Sequence, residues 1–85
     1  MPVIVTARAL PAMFTAQLET IGTCRRFDAS APEASLADAS VWVGTAMDPV
    51  PAELIASFPE SLGLIANLGV GTDNIDLRAA QARAI

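Results

Sequence analysis

Short β-branched apolar runs alternate along this chain with stripes of helical period, and no other feature restricts its fold as much. Val3-Ile4-Val5 reads as a buried strand. Leu10, Met13, Phe14, Leu18 and Ile21 then recur at the spacing of an amphipathic helix. Pro11 suits its first turn, and Gly22 suits the position just past its end, where positive φ is common. Thr23 to Phe27 is a second strand whose adjacent Arg25 and Arg26 place it at a sheet edge. Asp28 to Ser40 has no strong period and is expected to hold one short helical turn around Glu33 to Ala37. Val41 to Thr45 is a third strand. A proline-bearing loop from Asp48 to Pro51 leads into a helix with Leu54, Ile55 and Phe58 inward, which Pro59 stops. Leu62 to Leu68 is a fourth strand, nearly continuously apolar, the pattern of a strand covered on both faces. After the loop Gly69-Val70-Gly71-Thr72, either Asp73 or Asp76 caps a last helix running through Ala84.

The order β-α-β-(α)-β-α-β-α implies right-handed crossovers and a doubly wound parallel α/β sheet of four strands, with an expected order 2-1-3-4. Sheets of this type normally run on into a fifth strand, so truncation before that strand is expected. The chain has 85 residues, of which 53% are apolar and 16% charged, a balance that belongs to a folded core. Alanine supplies 17 of the residues and aromatics only 5%. The core is therefore built of small pieces, and its stability margin is thin at this length.

Five arginines oppose nine carboxylates, for a net charge of −4, and lysine, histidine and tyrosine are absent. An acidic chain without a basic run is a poor partner for nucleic acid or an anionic membrane. Without histidine there is no imidazole acid or base and no histidine-bound metal. The single Cys24 allows no internal disulfide. Met1 to Val5 lacks a basic leader, and no stretch reaches the roughly 20 apolar residues of a membrane span. A cytoplasmic location is the expectation.

Ligands of open α/β sheets sit beyond the carboxyl ends of the strands, at the switch in strand order. The loops in question are Ala7-Arg8-Ala9, Ala46-Met47-Asp48 and Gly69 to Asn74. Two glycines let the backbone N–H groups of the last loop turn outward toward a carboxylate or phosphate. The same glycines also serve a plain tight turn, which pattern alone favours. A dinucleotide fingerprint would need glycine at the sixth position of G-x-G-x-x-G, and Asn74 stands there, so a complete nucleotide site is rejected. Asp73 and Asp76 read as helix caps before they read as an acid/base pair. Arg8, just past strand 1, could meet an anion but reads better as a salt-bridged or solvated surface residue, Cys24 as a small core residue, Trp42 as core or interface, and Met13 and Met47 as gap-fillers.

The run Leu64 to Arg83, LIANLGVGTDNIDLRAAQAR, resembles the end of the N-terminal substrate-domain segment of the D-isomer-specific 2-hydroxyacid dehydrogenases. That family includes glyoxylate/hydroxypyruvate reductases and phosphoglycerate dehydrogenases. Its pattern GVG-x-DN-[IV]-D, followed by an alanine-rich helix, is matched at each defined position by Gly69 to Asp76. The resemblance covers about Val41 to Ile85 closely and residues 1–40 only in architecture.

The resemblance implies a flavodoxin-like substrate domain, with residues 1–85 as its N-terminal part and the cofactor-binding domain absent. It implies that backbone N–H groups of Val70 and Gly71 bind the substrate carboxylate. Leu68 or its neighbour Asn67 would line the pocket, and Ala46 would face the same cleft. The full-length enzyme would use NAD or NADP to reduce a small 2-oxo acid to a D-2-hydroxy acid, usually as a homodimer. The family's nucleotide loop, substrate-holding arginine and glutamate-histidine pair are not found in this chain. No catalytic, cofactor-binding or metal-binding residue is therefore assigned, and the isolated chain is expected to be inactive. The competing reading is a stand-alone flavodoxin-like module that binds small anions or a partner. A phosphoacceptor version is disfavoured, because no acidic pair follows strand 1 and lysine is absent.

Overall fold

In a computed structural model that describes residues 2–69 and 71–85, the apolar runs form the parallel sheet and the striped segments form its crossovers. The strands are β1 (Val3–Thr6), β2 (Thr23–Arg26), β3 (Ala39–Thr45) and β4 (Leu64–Leu68). The helices are α1 (Ala12–Glu19), α2 (Pro32–Leu36), α3 (Ala52–Ser57) and α4 (Leu77–Ala82). The sheet order is β2-β1-β3-β4 with every pair parallel, the doubly wound α/β arrangement expected from the alternation. Among the described residues no helix is long and apolar enough to cross a membrane.

Side chains alternate across the strands, so each face has its own composition. Val5 and Trp42 point to the face covered by α2, α3 and α4, where Leu36, Val50, Ile55, Phe58, Leu62 and Ala80 close the main core. Trp42 sits at its centre, with Phe27 edge-on at 5.2 Å and Phe58 tilted at 5.5 Å between ring centroids. Ala39 and Trp42 lie three residues apart and should face opposite ways. A register irregularity opposite Val3/Ile4 brings both into this core. The Trp42 indole N–H is buried without a hydrogen-bond partner, at a cost of about 1–3 kcal/mol. Two arginines brace this layer by donating to carbonyls at helix ends: Arg25 to Ser35 and Ala37 of the α2 end, Arg83 to Ile55 and Phe58 of the α3 end.

The opposite face carries Ile4, Thr6 and Val43, and among the described residues α1 is the helix that lies over it. Here the structure departs from the sequence reading. The helix forms where its stripe predicts, yet none of its residues is buried, and Met13, Phe14 and Ile21 are exposed. β4 is likewise not covered on both faces. It is an edge strand with no fully buried residue, and Leu64 is 54% exposed. A continuous apolar run records what a strand needs to cover it, and eight helical residues cannot cover that face.

Gly22 is also used differently from the expectation. Its φ is not positive. Its place requires the absence of a side chain, because a Cβ would lie 2.6 Å from the Pro2 carbonyl oxygen and 2.9 Å from Ile4 Cδ1.

Candidate functional site

The carboxyl ends of β1, β3 and β4 converge at one rim of the sheet, where a connected set of polar side chains meets. β1 delivers Arg8, the β3–α3 loop delivers Asp48, and the β4–α4 loop delivers Gly69 to Asn74. Arg8 and Asp48 lie 40 residues apart in sequence. Their side chains meet through Nε at 2.9 Å and Nη2 at 2.7 Å, the surface ion pair that Arg8 was expected to make. Asp48 Oδ2 also accepts from the Thr45 N–H at 3.0 Å and the Thr45 hydroxyl at 2.8 Å. The Arg8 hydrogen bonds, helped by those of Thr45 and opposed by partial burial, hold the Asp48 carboxyl below the usual carboxylate range.

The glycine loop is shaped by backbone conformation. Gly69 has φ +116° and Gly71 has φ +90°, both in the region that side-chain-bearing residues avoid. Among the described residues beyond its chain neighbours, no atom lies within 4 Å of the position a Cβ would take on Gly71, so this glycine answers to φ and to an open approach. Ala46 is the nearest neighbour of the Gly69 Cβ position, at 3.9 Å, which puts the β3–α3 loop against the glycine loop. Val70 lies outside the described residues.

Of the other residues singled out by sequence, Leu68 and Asn67 leave opposite faces of β4. Leu68 is half-buried and lines a cleft of about 280 Å³ beside α1, with Leu10, Phe14, Leu18 and Val43. Asn67 turns to the glycine loop, and its Nδ2 donates to Asn74 Oδ1 at 2.8 Å and to the Gly71 carbonyl at 3.4 Å. Gly71, Asn67 and Ala46 are thus brought to one rim, while Leu68 faces the α1 cleft next to it.

Asn74 enters the sequence reading as a position of the family run and as the residue standing where a nucleotide loop has glycine, with no role assigned to its side chain. Its Nδ2 donates to the Asp48 carbonyl at 2.8 Å and the Thr45 carbonyl at 3.3 Å. Its own carbonyl accepts from the Val50 N–H at 2.7 Å, within a short parallel bridge between Val50 and Ile75. Its signal in the sequence was a side chain carrying both donor and acceptor in a loop that has to be held. Asp76, the second candidate cap, accepts from the Ala79 N–H at 3.0 Å and starts α4, which ends at Ala82, two residues before the expected end.

A second groove, of about 240 Å³, lies at the β1–β2 end between Thr6, Leu10, Thr15, Cys24 and Arg26. The Cys24 thiol there is pushed above its ordinary pKa by burial and then by the charge of Glu19, the opposite of activation for nucleophilic attack. Among the described residues no group of three or more histidine, cysteine or carboxylate side chains is placed to hold a metal.

Comparison with known proteins places this geometry. The family model for the catalytic domain of D-isomer specific 2-hydroxyacid dehydrogenases matches residues 3–85. Among solved structures, the chain is similar to a 2-hydroxyacid dehydrogenase from Ketogulonicigenium vulgare, with a TM-score of 0.83 and 29% identity. The match covers 99% of this chain and 28% of that one. It is also similar to an NADPH-dependent glyoxylate/hydroxypyruvate reductase from Sinorhizobium meliloti crystallised with citrate, with a TM-score of 0.79 and 29% identity. That match covers 98% of this chain and 26% of that one. A structure of the same reductase with NADP and malonate matches with a TM-score of 0.80 and 28% identity, over 96% of this chain and 26% of that one. The chain thus spans little more than a quarter of the length of these relatives. No curated protein gave a sequence match.

Proposed function

The chain belongs to the D-isomer specific 2-hydroxyacid dehydrogenase catalytic-domain family, and from that premise we propose that it receives the carboxylate of a small 2-oxo or 2-hydroxy acid at the Gly69–Gly71 loop. In this reading residues 1–85 are the N-terminal part of the substrate domain of an NAD(P)-dependent oxidoreductase that reduces 2-oxo acids to D-2-hydroxy acids. The observation that carries it is the pair of positive-φ glycines at the carboxyl end of β4, with open space over Gly71. Such a backbone can offer successive N–H groups to an anion without a cationic side chain. Val70 enters by its place in the motif, Asn67 and Ala46 border the loop, and Leu68 supplies an apolar wall next to it. The Sinorhizobium meliloti relative, crystallised with citrate and with malonate, is consistent with a site for small carboxylic acids.

Orientation is what these residues contribute to the reaction. A carboxylate fixed at Gly71 leaves the adjacent 2-oxo carbon to be presented to a reductant, and such positioning converts a chance encounter into a defined approach. Nicotinamide supplies hydride in this family when bound, but residues 69–76 do not fit the dinucleotide. Asn74 fills the third-glycine position with a tethered side chain, and the Val50–Ile75 bridge separates the loop from the start of α4 at Leu77. With no histidine in the chain, the proton donor for the developing alkoxide is also not among these residues. The isolated chain therefore binds without turning over.

Calorimetric titration with oxalate, alongside an NADH-oxidation assay with glyoxylate, tests both halves. Heat of binding with no oxidation is expected. No heat at millimolar oxalate would remove the carboxylate site, and turnover by the pure chain would remove the claim of inactivity.

A further inference from the structure

We propose that Asn74 is a positioning residue: it locks the Gly69–Gly71 loop in its anion-receiving shape, with Asn67 as its partner. The proposal rests on the carboxylate reading above and adds the device that holds the site in place.

The loop between Leu68 and Leu77 has little of its own to fix it. Its one internal main-chain hydrogen bond among the described residues is Ile75 N–H to the Thr72 carbonyl, at 3.0 Å. Gly71 stays at φ +90° although, among the described residues beyond its chain neighbours, no atom lies within 4 Å of its Cβ position, so packing against the rest of the fold does not impose that conformation. Glycine samples such angles freely and equally freely leaves them. The restraint must come from tethers at the loop's two ends.

Those tethers run through two asparagines. Toward β4, Asn67 Nδ2 reaches the Gly71 carbonyl and Asn74 Oδ1. Toward β3, Asn74 Nδ2 donates to the carbonyls of Asp48 and Thr45. The main chain of Asn74 is fixed as well, because its carbonyl accepts from Val50 and the next-but-one N–H, of Asp76, donates back to the Val50 carbonyl at 3.0 Å. One half-buried side chain thus ties Asn67 of β4 to Thr45 of β3 and Asp48 of the β3–α3 loop, and the glycine loop is held through Asn67, which donates to the Gly71 carbonyl. Asparagine suits this place for a definite reason. Two carbonyl oxygens face Nδ2 and need a donor, while Asn67 faces Oδ1 and needs an acceptor. Aspartate has the same shape but would set a charge against the two carbonyls. Alanine would leave all three partners to water.

Backbone donors act on an anion most strongly when they are already in place, because ordering them on binding opposes affinity. Releasing the Asn74 tether should therefore weaken anion binding more than it weakens the fold.

The test uses the full chain with malonate as the probe, in wild type, Asn74→Asp, Asn74→Ala and Asn67→Ala. Three quantities are read: malonate Kd, midpoint of thermal unfolding, and backbone amide NMR order parameters at Gly69 and Gly71. Asn74→Asp and Asn74→Ala are expected to bind malonate about tenfold or more weakly. The order parameter at Gly71 should fall while those of Val5 and Trp42 stay as in wild type. Asn67→Ala should shift both readouts the same way, and it decides the matter if the Asn74 variants do not fold. Malonate affinity within twofold of wild type, or an order parameter at Gly71 that falls only in step with the core, overturns the proposal. Failure of the wild type to bind malonate removes the carboxylate reading. The order parameter at Gly71 then decides the tether by itself.

Discussion

Replacing Asp48 by asparagine keeps the shape of the rim and removes its charge, so the substitution isolates what the Arg8–Asp48–Thr45 cluster contributes. The carboxylate accepts from the Arg8 guanidinium and from the Thr45 N–H and hydroxyl. Arg8 is 48% exposed, so water screens that side and it is set aside in the reckoning. Asp48 itself is only 14% exposed, and its bonds to Thr45 are the sheltered ones. A hydrogen bond to a charged acceptor contributes about 1.5–3 kcal/mol and a neutral one about 1. Both Thr45 bonds end on Oδ2, so an asparagine whose Oδ1 takes that place keeps them as neutral hydrogen bonds and turns its NH₂ toward Arg8. The expected loss is about 2 kcal/mol, which for a domain of this length lowers Tm by roughly 8–16 °C. Thermal unfolding followed by circular dichroism at neutral pH measures it.

The pH dependence supplies a second check. The folded Asp48 carboxyl is held below its unfolded value of about 3.9. Its stabilisation is therefore complete above that unfolded value and is lost as pH falls through the lower folded one. The gap in stability between wild type and Asp48→Asn should hold steady near neutrality and close in acid, below about pH 4. A Tm for Asp48→Asn within about 2 °C of wild type, or a gap that persists undiminished in acid, would refute the reasoning.

Three further outcomes follow from the geometry. Gly71→Ala meets no atom of the described residues beyond its chain neighbours but forces a side chain to φ +90°, so it should cost roughly 1–2 kcal/mol in chemical denaturation and weaken oxalate binding in calorimetry. Gly22→Ala drives a methyl against the Pro2 carbonyl and Ile4, with a cost of about 1–3 kcal/mol and no effect on oxalate affinity in whatever fraction remains folded. Arg83→Ala releases the Ile55 and Phe58 carbonyls at the end of α3 and should lower stability by about 1–2 kcal/mol, seen as a lower denaturation midpoint with an unchanged slope.

The sequence and the structure agree most where local chemistry and tertiary demand coincide. The alternation of strands and helices and the edge position of Arg25 and Arg26 were legible from residue type and spacing, a short helix expected around Glu33 to Ala37 forms at Pro32–Leu36, and of the two candidate caps, Asp73 and Asp76, the structure uses Asp76. The sequence misled where a pattern states a need without stating how it is met. The α1 stripe and the apolar run of β4 both call for cover, and the structure leaves Met13, Ile21 and Leu64 in solvent. Gly22 was read through its conformational freedom, while packing against Pro2 and Ile4 governs it. The role of the Asn74 side chain was not legible because its partners at Thr45 and Asp48 lie 29 and 26 residues away, beyond any local pattern. The glycine loop itself was legible from two glycines and a family motif, but its tether was not.

The most direct measurement is a titration of the isotope-labelled full chain with malonate, followed residue by residue through backbone amide chemical shifts. A carboxylate site at the end of β4 predicts saturable shifts concentrated at Gly69 to Gly71 and Ala46, with the amides of β2 unmoved. Shifts confined to the groove around Cys24 and Arg26, or none at tens of millimolar malonate, would contradict it.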